Sequence, residues 1–127
     1  MKLEVHLSGE GLDFPLIEAL TNLYVGLCRY ARGEKLSAAR FVQSYAVDSI
    51  LSVLHLLEKE EACFPDVFGA ERRLEKRFPS FAQRVGDMML GYERTPESAL
   101  HILRYLEEVY PVNARMSAEI RRLVEQL

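Results

Sequence analysis

The sequence predicts an all-α fold: an antiparallel up-and-down bundle of four longer helices with two short ones, preceded by a short N-terminal strand. Three observations predict it. Apolar residues recur at three- and four-residue spacing over most of the chain, Pro and Gly punctuate the runs, and the connections between runs are short. At 127 residues the chain has the length of one domain able to bury a single core without disulfides or metal.

The opening stretch LEVHL, residues 3–7, alternates apolar and polar with period two before the break SGEG, and so reads as a strand. Residues 1–12 are accordingly a strand and linker, possible only as a tail or as the remnant of a sheet belonging to something else, and 13–127 the helical domain. From Pro15 the period becomes helical, through Leu16, Leu20, Leu23, Leu27 and Ala31, with Asp13 placed as N-cap and Gly33 as stop. A second and longest helix starts at Lys35 or Ser37 and runs to about Glu61, where ACFPDVFG breaks it. AERRLEKRF makes a short charged helix ending ahead of Pro79, and SFAQRVGDMMLG a second, capped by Ser80 and stopped at Gly91. Thr95 caps PESALHILRYLEEVY, with Pro96 at its first position and Pro111 closing it, and Asn113 caps or begins a last helix to Leu127. Leu20, Leu23, Leu27, Phe41, Tyr45, Ile50, Leu54, Leu57, Leu100, Leu103, Leu106 and Ile120 are the expected core.

The composition is 49% hydrophobic and 28% charged, which argues against disorder. A net charge of −3 argues against a non-specific grip on nucleic acid. No segment approaches the roughly 20 apolar residues of a membrane span, and Glu4, His6, Glu10 and Asp13 interrupt any signal-peptide core. With Cys28 set among apolar neighbours as a reduced thiol, these features fit a cytoplasmic protein.

On the second helix Arg40, Ser44, Asp48, Ser52, His55 and Lys59 share one third of the wheel. Such a stripe is ordinarily a solvent face. Serine and histidine are poorer helix formers than the Glu and Lys that usually fill exposed positions, and this favours a cleft. Glu18, Asn22 and Arg29 on the first helix form a comparable stripe, and two facing stripes would enclose a polar groove. The turn YARGEKL likewise has two readings. Arg29 and Arg32 offset the dipole at the end of the first helix, or Arg32, Lys35 and Arg40 gather with free N–H groups as a phosphate site.

The chain has no glycine-rich phosphate loop, no G-x-S-x-G and no Cys or His pair at zinc spacing, so no metal site is expected and catalysis by this chain alone is doubtful. Arg94 and His101 in RTPESALH match the loose Arg-x4-6-His pattern of ribonucleases in the HEPN family of helical bundles, although Thr95 stands where that family often has Asn, Asp or His.

The run LCRYARGEKLSAARFVQSYAVDSILSVLHLLE, with the later RRLEKRFPSFAQRVGDMMLGYERTPESALHILRYLEEVYPVN, resembles the helical substrate-binding domain of antibiotic-type nucleotidyltransferases such as the lincosamide and kanamycin enzymes. The similarity spans about residues 14 to 120 and rests on helix lengths, the ARGE turn and the RFP break. It implies a partner, the catalytic domain or subunit, which carries a Gly-Ser motif and an Asp-x-Asp pair and brings nucleoside triphosphate and magnesium. This chain has neither motif. The resemblance further implies a small-molecule acceptor, a homodimer, and a carboxylate base: Asp48 first, Glu18 second. Arg29, Arg32, Lys35, Arg40, Ser44 and His55 would then bind substrate or phosphate. The competing expectation is a protein-interaction or toxin–antitoxin module, with Phe64, Val67 and Phe68 as its apolar contact.

Overall fold

The structure, a computed structural model, describes residues 2–61 and 71–127, with residues 2–10 as backbone only. The expected contact at Phe64, Val67 and Phe68 lies outside the described residues, as does Cys63. Among the described residues the protein is all-helical. Among the described residues no helix is long and apolar enough to cross a membrane.

Helix α1 spans Lys2–Ala31. Residues 3–7, expected as a strand, are helical instead. A lone strand has no neighbour for its N–H and C=O groups, whereas a helix pairs them within itself. Asp13 therefore lies inside α1 rather than at its start, and its carboxylate accepts a 2.5 Å bond from the Tyr110 hydroxyl. The stop at Gly33 is as expected. Gly33 takes φ +87°, the Glu34 N–H bonds the Arg29 carbonyl and the Gly33 N–H bonds that of Tyr30, a Schellman close.

The second rod departs from the single long helix the sequence suggested. It comprises α2 (Lys35–Ala39), π-helical turns (Arg40–Ala46), α3 (Val47–Ser52) and, after a break at Val53, α4 (Leu54–Leu57). The buried positions Ala38, Val42, Ala46, Ile50 and Leu54 repeat every four residues. In a straight α-helix that spacing drifts about 40° per step, and the wider π turns absorb the drift. They also turn Gln43 inward and Tyr45 outward, so Tyr45, expected in the core, is 44% exposed and packs edge-on against Phe41 with ring centroids 5.1 Å apart. Phe41, Leu57 and Leu100 are half-buried, while the other expected core residues are buried.

Helices α5 (Leu74–Arg77) and α6 (Pro79–Val85) follow, then 3-10 turns at Gly86–Met88 and Tyr92–Arg94. Pro79 itself opens α6, so Ser80 is not its cap, and the helix stops at Val85, short of Gly91. Helix α7 (Thr95–Val109) has Arg94 at its N-cap position, and Thr95 is buried inside its first turn. Helix α8 (Ala114–Gln126) is capped as expected: Asn113 Oδ1 accepts the N–H groups of Arg115 and Met116 at 2.9 and 3.1 Å.

Particular contacts fix the directions. Gly11 meets Leu56 while Gly26 meets Val42 and Ala38, so α1 and the second rod run antiparallel. Tyr30 bonds the Glu93 carbonyl at one end of α1 and Asp13 bonds Tyr110 toward the other, so α7 also opposes α1. Gln43 meets Thr95 and Glu58 meets Tyr105, which makes the second rod and α7 parallel. Helix α8 folds back along α7 through the Arg121–Glu107 pair. The order is thus up, down, down, up, not the alternation the short loops suggested. Among the described residues, 71–94 lie back along the rod before α7 begins. One core joins Leu16, Leu23 and Leu27 with Val42, Ile50, Phe78, Phe81, Ile102, Leu106 and Ile120.

Candidate functional site

A groove of about 470 Å³ runs beside the second rod. Ser44, Val47, Asp48 and Leu51 form one wall, Glu71, Leu74 and Glu75 the other, and Val85 and Met89 close it. Its floor is therefore apolar and its rim carries three carboxylates. A hollow of about 560 Å³ at the α7–α8 turn is larger, but none of the candidate site residues lines it.

Asp48 lies at the rim, its pKa raised from the ordinary value by partial loss of water and then by the negative charge of Glu71. A carboxylate so raised is a better proton acceptor than an open-surface one. Behind it, Gln43 donates to the Gly91 carbonyl at 2.8 Å and to Thr95 Oγ1 at 2.9 Å, while its own oxygen accepts the Gly91 N–H at 2.8 Å. Gly91 has φ +113°, a conformation open essentially to glycine. The Leu90 N–H bonds Ser98 Oγ at 2.9 Å, completing a polar brace between the rod and α7.

The structure brings together only part of the expected set. Asp48 and Ser44 share the groove. Glu18 and His55 are exposed and outside its lining, so the two stripes do not enclose a common cleft. At the turn, Arg29 donates to Ser37 Oγ at 2.8 Å and lies 4.6 Å from the centroid of the Phe41 ring, which pins α1 to α2. Arg32 pairs with Glu34 at 3.0 Å and Lys35 with Glu93 at 3.1 Å, and Glu93 holds the Lys35 ammonium above its ordinary pKa. Arg40 is exposed. The basic cluster is therefore largely matched by carboxylates within the chain. Arg94 is engaged by both oxygens of Glu97 at 2.8 Å, with His101 half-buried on the next turn of α7.

Sequence reasoning passed over Gln43, Glu71 and Glu75. A lone amide within the apolar run FVQSYAV was one available signal, and two glutamates four residues apart were another. Among the described residues no three His, Cys, Asp or Glu side chains converge as a metal site. No protein-family model, curated protein or solved structure matches the chain.

Proposed function

We propose that this chain is the substrate-binding domain or subunit of a nucleotidyltransferase, a helical bundle whose groove at Asp48 seats a small-molecule acceptor. The observation that carries the reading is the placement of Asp48: a carboxyl with raised proton affinity beside Ser44, at the rim of a groove with an apolar floor. In this role Asp48 orients the acceptor hydroxyl or takes its proton, and the apolar floor holds the acceptor body. Arg40, with Arg32 and Lys35 once their carboxylate partners are displaced, meets phosphate at the open end of the rod. On the resemblance, magnesium and the nucleoside triphosphate belong to the catalytic half, which would supply the nucleotidyl-transfer chemistry. The assembly would act in the cytoplasm.

Affinity purification at native abundance, with mass spectrometry of the partners, tests this reading. It expects a longer chain or a partner bearing Gly-Ser and Asp-x-Asp. In that assembly Asp48→Asn should lower turnover by about 100-fold or more while leaving the melting temperature within a few degrees. Unchanged turnover would remove Asp48 from the mechanism, and the 127-residue chain recovered alone would remove the reading. A second reading, an interaction module, is favoured by the exposed apolar side chains of α1, Phe14, Ile17 and Tyr24.

A further inference from the structure

The groove at Asp48 has walls of unequal firmness. Val47 on the rod and Leu74 opposite belong to the buried core. The closing wall is a strap, residues 85–91, which reaches the groove through Val85 and Met89. Met88 is buried and pins the strap to the core, whereas Met89 is 53% exposed at the mouth. Its side chain is unbranched, with three rotatable bonds and a polarisable sulfur, so it adapts to whatever it meets. The end of the strap is held by one clasp. Gly91 gives its N–H to Gln43 Oε1 and accepts from Gln43 Nε2 at its carbonyl, both at 2.8 Å. In that pose Gly91 takes φ +113°, and nothing lies within 4 Å of where a Cβ would stand, so the dihedral rather than crowding selects glycine. Gln43 itself is buried, is turned inward by the π turns and lines the groove.

We infer, on the reading that an acceptor occupies this groove, that Met89 is its specificity-determining side chain and that Gln43 is the positioning residue that holds it there. The acceptor hydroxyl lies toward Asp48, and its apolar body runs along Val47, Leu51 and Leu74 until it meets Met89. Met89 therefore reads the length of the apolar body rather than its charge. Each methylene laid on the floor gains about fourfold in affinity, until the chain reaches the thioether. Beyond that point a longer body has to displace a wall whose end cannot yield, because both polar groups of Gly91 are engaged by one buried amide and the Leu90 N–H is engaged by Ser98 Oγ. The brace between the rod and α7 thus has a second consequence besides joining two helices: it sets which acceptors fit.

Straight-chain primary alcohols from butanol to octanol, titrated into the isotope-labelled full chain and followed by NMR at Asp48, Leu51 and Met89, test this without the catalytic half. In wild type the affinity should climb about fourfold per methylene and then level off. Met89→Ala removes the thioether, and should carry the climb about three carbons further and raise the octanol-to-butanol affinity ratio about tenfold or more. Gln43→Leu should raise that ratio about threefold or more, because the freed strap gives way. Thr95→Val removes the other partner of the Gln43 amide and leaves the clasp on Gly91 intact, so its ratio should stay within about twofold of wild type. That comparison separates positioning from stability, and circular dichroism of each variant reports the fold. Alcohols that shift the groove with a ratio indifferent to Met89→Ala, or moved as far by Thr95→Val as by Gln43→Leu, overturn the inference and leave the acceptor reading standing. Alcohols that never shift the groove overturn both.

Discussion

Gln43 uses its amide in both directions, donating twice and accepting once, and every one of these bonds reaches the segment that starts α7. Replacing it with Leu keeps the volume but leaves the backbone of Gly91 and the Thr95 hydroxyl without those partners. The expected loss is about 1–3 kcal/mol, read as a lowered urea midpoint at unchanged slope. Asp48 should behave in the opposite sense. Its folded-state pKa is raised above the ordinary value by burial and by Glu71, so the ionised carboxylate disfavours the fold at neutral pH, and the penalty fades as pH falls and both states become protonated. Asp48→Asn should therefore melt slightly higher than wild type at pH 7 and equal to it near pH 3. A variant less stable than wild type at pH 7 would show that Asp48 is held by favourable partners instead. The raised proton affinity is a property of the wall opposite, so no inspection of residues 40–52 alone could have found it.

At the level of elements, the approach of α1 to the second rod depends on Gly26. A Cβ built there would lie 2.6 Å from Val42 Cγ2 and 3.2 Å from the Ala38 carbonyl oxygen. Gly26→Ala gains up to about 1 kcal/mol in helix propensity and loses about 1–3 kcal/mol to overpacking, so it should be destabilising overall. Val42→Ala should cost less in the Gly26→Ala background than in wild type, because the two changes share one contact. A double-mutant cycle from thermal or urea melts measures that coupling, and simple additivity would place the contact elsewhere. The ends of elements were the most legible features. Asn113 and Gly33 act through bonds to residues within five positions, and such local chemistry is written in the sequence. The π turns were not legible, because they answer to the four-residue repeat with which the rod meets α1.

Across the whole molecule, tyrosine hydroxyls tie distant elements. Tyr105 donates to Glu58 at 2.6 Å, joining the end of the second rod to α7, and Tyr110 donates to Asp13, joining α7 to α1. Burial first, then the carboxylate partner, raises both phenols, Tyr110 to about 12 and Tyr105 further. The neutral phenol is therefore favoured in the fold, and its contribution is complete below about pH 10, the ordinary tyrosine pKa. As pH rises past that value the unfolded chain sheds its protons first, and stability falls until Tyr110 itself titrates near 12. Wild type should lose melting temperature steadily above about pH 10, and the double variant Tyr105→Phe, Tyr110→Phe should lose it less steeply. Identical slopes would mean that neither tie is made in solution.

The sequence by itself determined the helical class, the position of the last two long helices, the stops at Gly33 and Pro111, and most of the core from Leu20 to Ile120. These follow from apolar periodicity and from caps whose partners lie within one turn, so they need no knowledge of distant residues. It also placed Asp48 and Ser44 on one polar stripe. Tertiary structure alone decided the rest. Residues 71–75 supply the second wall of the groove only because the chain returns along the rod before α7. Lys35 finds Glu93 only because α7 begins where α1 ends. Gln43 is buried only because packing against α1 widens the helix around it. Each of these couples residues tens of positions apart, and one-dimensional periodicity carries no information about which face of a distant segment arrives opposite.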